Sequence, residues 1–299
     1  MIFASDTFVL PLPPGHRFPM PKYARLRERV AGFAAPLMRV PAAARDDELA
    51  RVHDPRYIEA VACGTLDERA QRRIGFPWSQ AMVERSRRSA GATLAACRSA
   101  LEHGVGINLA GGTHHAHRAF GEGFCVFNDA AVAARAMQAE RRARRVLVVD
   151  LDVHQGDGTA AIFAGDRDVT TVSIHGRQNF PFRKSASTID VELDDGTGDD
   201  AYLGTLATVL PRAIDRARPD LAIYLAGADP FAGDRLGRLA LTKAGLADRD
   251  RAVLAALARQ GIPVAIAMAG GYAEDVDDVV DIHATTVALA LERVLPAGC

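Results

Sequence analysis

Val146-Leu147-Val148-Val149 runs without a break into Asp150-Leu151-Asp152-Val153-His154-Gln155-Gly156-Asp157-Gly158, and that junction decides how the chain folds. An apolar run rich in β-branched residues is how a strand buried on both faces of a parallel sheet reads. Carboxylates do not belong inside such a strand. Asp150, Asp152 and His154 alternate, so extended backbone turns all three side chains to one side at the strand's carboxyl end. Two carboxylates and an imidazole converging there point to a divalent metal.

The chain around this junction has 299 residues, 48% of them hydrophobic, enough to bury a large core. Its formal net charge of -1 gives no electrostatic case for nucleic acid or an anionic membrane as partner. No basic, apolar leader opens the chain, and no apolar run approaches the ~18 residues of a membrane span. A cytoplasmic protein is the expectation. Cys63, Cys97, Cys125 and Cys299 lack C-x-x-C spacing, so neither a zinc knuckle nor a disulfide framework is indicated. Oxygen and nitrogen are left to hold the metal.

Strand-like and helix-like stretches alternate along the chain. Strands are expected at Val105–Leu109, Val146–Leu151, Val169–Ile174, Leu221–Ala226 and Pro263–Met268, each leading into polar or glycine-rich residues. Helices are expected at Gln80–Glu102, Asn128–Arg144, Asp200–Arg218 and Thr242–Arg259, with a first helix near Lys22–Val30 after a proline-rich loop. The basic run Arg141–Arg145 reads as a solvated helix end. This order predicts one α/β domain over 1–299, with three α/β/α layers around a mostly parallel sheet.

The residues just beyond the strands carry the chemistry. Val105–Leu109 leads to Gly-Gly-Thr-His-His with His114 and His115, Val146–Leu151 to the Asp/His cluster, Leu221–Ala226 to Asp229, and Pro263–Met268 to Tyr272. Ligands bind at the carboxyl ends of strands in open parallel sheets, so the clusters are expected to share one crevice. Alone, each has a plainer reading. Asp157 could cap a helix, paired histidines could face solvent, and Phe124 or Phe180 could be ordinary core. Their joint occurrence outweighs those readings.

The stretches GGTHHAHRAFGEGFCVFNDAA, VDLDVHQGDGT, GADPFAGDRLG and GGY, with HRFPMPKY and HDPRYI upstream, resemble the zinc-dependent histone deacetylase family, which includes bacterial acetylpolyamine and other amide deacylases. Gln155 after the metal histidine and the SIH…FPF segment look most like the class IV branch and its bacterial relatives. The resemblance implies zinc, or Fe2+, on Asp152, His154 and Asp229. It implies amide hydrolysis, with His115 as general base and acid, His114 as its electrostatic partner, Asp150 and Asp157 as their carboxylates, and Tyr272 donating to the oxyanion. Carboxylate partners of this kind are expected to favour protonated imidazoles. It further implies a channel formed by Gly123, Phe124 and Phe180 or Phe182, and potassium near Asp150, Asp152, His154 and Ser173. The implied substrate is an acylated lysine or small acylated amine. Oligomeric state and acyl length are not legible in the chain.

Two rivals remain open at this point. Arginase-type binuclear manganese hydrolases also place Asp-x-His after a strand, but their bridging carboxylates would fall at Gly156 and Phe231. A degenerate acyl-ligand-binding protein would have no chemical need for His114, His115, Asp229 and Tyr272 together. The chain departs from the family at Ala269, where many relatives carry glycine, and across Arg72–Trp78, where no backbone-gripping aspartate is recognisable.

Overall fold

The computed structural model describes residues 1–292. Its strands are β1 (Ile2–Phe3), β2 (Met38–Arg39), β3 (Val105–Asn108), β4 (Val146–Asp150), β5 (Val169–Gly176), β6 (Ile189–Leu193), β7 (Leu221–Leu225) and β8 (Val264–Ala267). Its α-helices are α1 (Pro21–Ala34), α2 (Asp46–Leu49), α3 (Pro55–Cys63), α4 (Glu68–Ile74), α5 (Gln80–His103), α6 (Asp129–Ala139), α7 (Asp157–Ile162), α8 (Asp199–Ala217), α9 (Lys243–Arg259) and α10 (Val276–Glu292). The strands form one sheet in the order β2-β1-β3-β8-β7-β4-β5-β6, and every neighbouring pair is parallel. The three layers expected from the sequence are present.

Period-two alternation divides each central strand between two cores. Leu147, Val149, Ala222 and Tyr224 pack with α1, α8, α9 and α10, while Val146, Val148, Leu221 and Ile223 pack with α3, α5 and α6. Each large apolar side chain so buried contributes about 1.5–3 kcal/mol. The burial fixes the strands in depth, and with them the residues at their carboxyl ends.

The expected long strands and helices are found, with ends shifted by a few residues. Three strands went unread because they offer little pattern: β1 and β2 are two residues long, and β6 alternates half-buried with exposed residues at the sheet edge. The basic run is a correction. Helix α6 stops at Ala139, Arg141 is left-handed at φ 58°, and the run lies beyond the helix. Asp220 fixes that turn by accepting from the Arg144 and Arg145 amides at 3.0 and 2.8 Å. Cys63, Cys97 and Cys125 are free thiols, and Cys299 lies outside the described residues.

Gly106 in β3 has no room for a side chain, because a Cβ there would collide with the carbonyl oxygen of Ala96 on α5. Gly106→Ala is therefore expected to destabilise the protein by about 1–3 kcal/mol as strand and helix are pushed apart. Urea unfolding checks this through a lowered midpoint at unchanged slope. An unchanged midpoint would show that the contact yields freely.

Candidate active site

The ends of β3, β4, β7 and β8 open into a cavity of about 730 Å³ whose lining includes His114, His115, Gly123, Phe124, Asp152, His154, Phe180 and Tyr272. At its floor His154 Nδ1 lies 2.9 Å from Asp152 Oδ1 and 3.2 Å from Asp229 Oδ2. One ring proton cannot serve both carboxylates, and Asp229 Oδ2 is left buried without a hydrogen-bond partner. Burial works against charge on His154, yet the two carboxylates lift its pKa to about 10. Burial, then Asp152, push the Asp229 carboxyl up. Donor atoms of Asp152, His154 and Asp229 lie within 4.8 Å of one another, so the site is short of positive charge and fits a cation.

Backbone donors hold the carboxylates in place. The Val153 amide donates to Asp229 Oδ1 at 2.9 Å, and the Gly270 amide donates to Asp152 Oδ2 at 2.8 Å. A Cβ on Gly270 would occupy the position of Asp229 Oδ2, which explains a glycine in the β8 loop. Ala269, where a glycine was the alternative, adopts φ 56° and packs its Cα and Cβ against Gly112 in the loop after β3. The departure keeps Tyr272 at the cavity.

His114 and His115 lie beside this cluster with ring centroids 4.2 Å apart. His114 Nδ1 is 2.7 Å from Asp150 Oδ2, and His115 Nδ1 is 2.7 Å from Asp157 Oδ1. The two rings nevertheless differ in charge. Burial opposes ionisation of His114, but Asp150 and Asp152 outweigh it and carry the pKa to about 9. For His115 burial, reinforced by the charge on His114, overcomes Asp157 and lowers the pKa to about 4. Both carboxylates favour protonation of their partners as expected, but only at His114 do they prevail; at His115 burial and the His114 charge outweigh Asp157. Asp157 also divides its charge, since Oδ2 is 3.1 Å from His117 Nε2.

Tyr272 is 9% exposed and its hydroxyl bonds to none of the described residues, although the ring lines the cavity. Lys22, buried on α1, donates to Gly271 O at 3.2 Å and places Nζ 5.2 Å from the Tyr272 ring centroid. Phe124 and Gly123 take consecutive left-handed conformations, φ 66° and 56°. A Cβ on Gly123 would come 2.8 Å from His115 Cδ2 and 3.2 Å from Phe180, so glycine is what lets the aromatic wall close on the histidine. Of the two candidate aromatics, Phe180 packs edge-on to His115 at 4.9 Å, while Phe182 is 87% exposed. Ser173 is the register partner of Asp150 in the β4–β5 ladder, with Oγ 2.9 Å from His175 Nδ1.

Residues 17–287 match the histone deacetylase domain model. The chain belongs to the histone deacetylase family. It is 46% identical over 279 residues to an uncharacterized protein of Picosynechococcus sp., covering 92% of this chain and 93% of that one. It is 35% identical to histone deacetylase 2 of Arabidopsis thaliana, over 62% of this chain and 49% of the plant protein. The acetoin utilization protein AcuC of Bacillus subtilis is 34% identical, over 68% of this chain and 58% of its own length. The chain therefore spans about half the length of the named relatives. The crystal structure of the HDA15 HD domain superposes with a TM-score of 0.78 at 23% identity, covering 97% of this chain and 90% of that one, and it shares the fold.

Several residues that build this site have no role legible in the sequence, although Asn128, Asp129 and His53 lie within the quoted stretches. Asp129, first in α6 and fully buried, accepts from the Gly112 and Thr113 amides at 2.9 and 2.7 Å and from the Thr93 hydroxyl at 2.6 Å. It anchors the loop that presents both histidines. Asn128 beside it donates to Ala116 O at 3.0 Å, and His53 of the HDPRYI stretch accepts from the Asn128 amide at 2.9 Å. Arg249 on α9 is wholly buried and donates to Leu151 O at 3.2 Å and Gly227 O at 2.6 Å, carbonyls lying shortly upstream of Asp152 and Asp229. Asp250 balances its charge at 2.8 Å and also accepts from Tyr224 and Thr286.

Arg249→Met would strand the buried Asp250 charge and both carbonyls. The expected cost is about 3–5 kcal/mol, the usual loss when one partner of a buried pair is removed. Chemical denaturation measures it, and a variant as stable as the parent would show that the pair does not hold the two loops.

Proposed function

We propose that this deacetylase-family chain is an amide hydrolase using one zinc, removing an acetyl or longer acyl group from an acylated lysine or related amine. The observation that carries the reading is geometric: His114 and His115, each bonded through Nδ1 to a buried carboxylate, stand beside the Asp152–His154–Asp229 cluster in one cavity. Asp152, His154 and Asp229 would hold zinc, or Fe2+, since this donor set does not by itself choose between them. Bound there, the ion supplies Lewis acidity to the acyl carbonyl and acidity to the attacking water.

The chain's own groups do the rest. With Nδ1 committed to Asp157, neutral His115 offers Nε2 to take a proton from water as its oxygen attacks the acyl carbon. The same proton then passes to the amine nitrogen as the C–N bond breaks, and the acid's remaining proton ends on the amine, giving a carboxylate and an ammonium. Charged His114 stabilises the negative charge that develops, and Tyr272 donates its unengaged hydroxyl to the oxyanion. Phe124 and Phe180 supply apolar walls for the substrate's stem. The reading extends to potassium near Asp150, Asp152, His154 and Ser173, for which the Asp150–Ser173 register is the support. A cytoplasmic setting accords with three free thiols, and no described helix is long and apolar enough to cross a membrane.

His115→Ala and Tyr272→Phe are each expected to lower kcat by ~10²–10⁴ on an acyl-lysine peptide. Both variants should remain folded, Tyr272→Phe with unchanged thermal melting, and near-parental turnover in either would sink the mechanism. Metal analysis of the purified protein should find about one zinc or iron per chain. Two manganese ions per chain would replace this reading with a binuclear hydrolase.

A further inference from the structure

We propose that the acylated amine reaches this site on an anionic carrier, an acyl-lysine flanked by acidic side chains; the proposal rests on the deacylase reading above. The support is the charge of the cavity's own lining. Arg17, Arg72, Arg73, Arg235 and Arg238, all exposed, line it, while Glu122 is the one lining carboxylate besides Asp152. The arginines come from three segments: the loop before α1, the end of α4, and the loop between β7 and α9. Formal charge over the whole chain is only -1, so the positive charge is a local property of the entrance.

It is only partly neutralised. Arg72 pairs with Glu68 across one exposed helical turn at 2.9 Å, and Arg238 pairs with Asp195 at 3.0 Å. The net positive charge of the entrance therefore rests on Arg17, Arg73 and Arg235. Arg17 and Arg73 have no carboxylate within ion-pair distance among the described residues. Arg73 lies over the Phe120 ring at 4.6 Å, and Arg235 donates to the Tyr272 carbonyl at 3.0 Å. Guanidinium groups left open in this way match carboxylates and phosphates.

Buried Lys22 and Arg85 also line the cavity, adding two cationic side chains to the exposed arginines. A polyamine or a strongly basic peptide tail would bring further positive charge against this field. A segment rich in Glu, Asp or phosphoserine would be drawn in.

The test compares one acyl-lysine centre flanked by Glu, phosphoserine, Ser or Lys, together with a monoacetylated polyamine. Hydrolysis and fluorescence-anisotropy binding are measured in parallel. The expected result is kcat/KM about tenfold higher for the acidic peptides than for the Lys-flanked one at about 0.01 M salt, where steering is strong. The gap should close to under about twofold at about 1 M, where the screening length falls to about 3 Å. Glu and phosphoserine arms separate carboxylate from phosphate as the preferred anion.

Arg17→Glu with Arg73→Glu should invert the preference, and the milder Arg17→Gln with Arg73→Gln should erase it. Arg212→Glu on α8, outside the cavity, changes net charge without changing the preference. Turnover with equal or better use of Lys-flanked peptide or polyamine overturns the proposal and leaves the hydrolase standing. Tight, salt-sensitive binding of acidic peptides without turnover supports the entrance and overturns the hydrolase. Neither binding nor turnover with any probe overturns both.

Discussion

Every other feature of the site depends on keeping a cluster of titratable groups buried at the strand ends. Asp150, Asp152, Asp157, Asp229, His114, His115 and His154 are all buried at the ends of the central strands. An isolated charge in such surroundings is costly enough that it would neutralise or pull the backbone apart. The structure resolves this by pairing: Asp150 with His114, Asp157 with His115 and His117, Asp152 and Asp229 with His154. The pairs hold because the strands beneath them are buried on both faces and cannot shift. Core packing and catalytic electrostatics are here one problem.

Pairing does not make the groups equivalent. His114 faces both Asp150 and Asp152, with Nε2 3.9 Å from the latter, whereas His115 shares Asp157 with His117 and sits against the aromatic Phe180. Two adjacent histidines cannot both carry charge cheaply, and these surroundings decide which one does. The two rings are thereby pushed in opposite directions: burial lowers the pKa of His115, while at His114 Asp150 and Asp152 prevail over burial and raise it.

Much of this arrangement was legible in the sequence because it lies where local pattern changes abruptly. The run Val146–Val149 ending in Asp150 and the Gly-rich stretches after β3 and β8 are breaks in hydrophobic periodicity, visible without tertiary information. The anchoring role of Asp129 was not legible, although it lies in a quoted stretch, since a carboxylate opening a helix reads as an ordinary helix-start residue. Arg249 was hidden for a related reason. It lies in Asp248-Arg249-Asp250-Arg251, a charged stretch that reads as solvated surface, yet α9 turns Arg249 and Asp250 inward and leaves Arg251 exposed. Only packing against β7 and the strand-end carbonyls distinguishes them. Lys22, in a segment read simply as helix, becomes relevant to Tyr272 only because α1 packs beside the β8 loop.

Gly156 shows how the fold limits the chemistry. In the sequence it matters as the place where a binuclear hydrolase would carry a bridging carboxylate. In the structure a Cβ at 156 would overlap Asp150 Oδ2 and approach His114 Cβ to 3.2 Å. Asp150 Oδ2 is the oxygen bonded to His114 Nδ1. A side chain at 156 would therefore displace the contact through which Asp150 holds His114. A carboxylate at 156 and the Asp150–His114 pair would compete for the same few ångströms. Glycine at this position resolves the competition in favour of the Asp150–His114 pair.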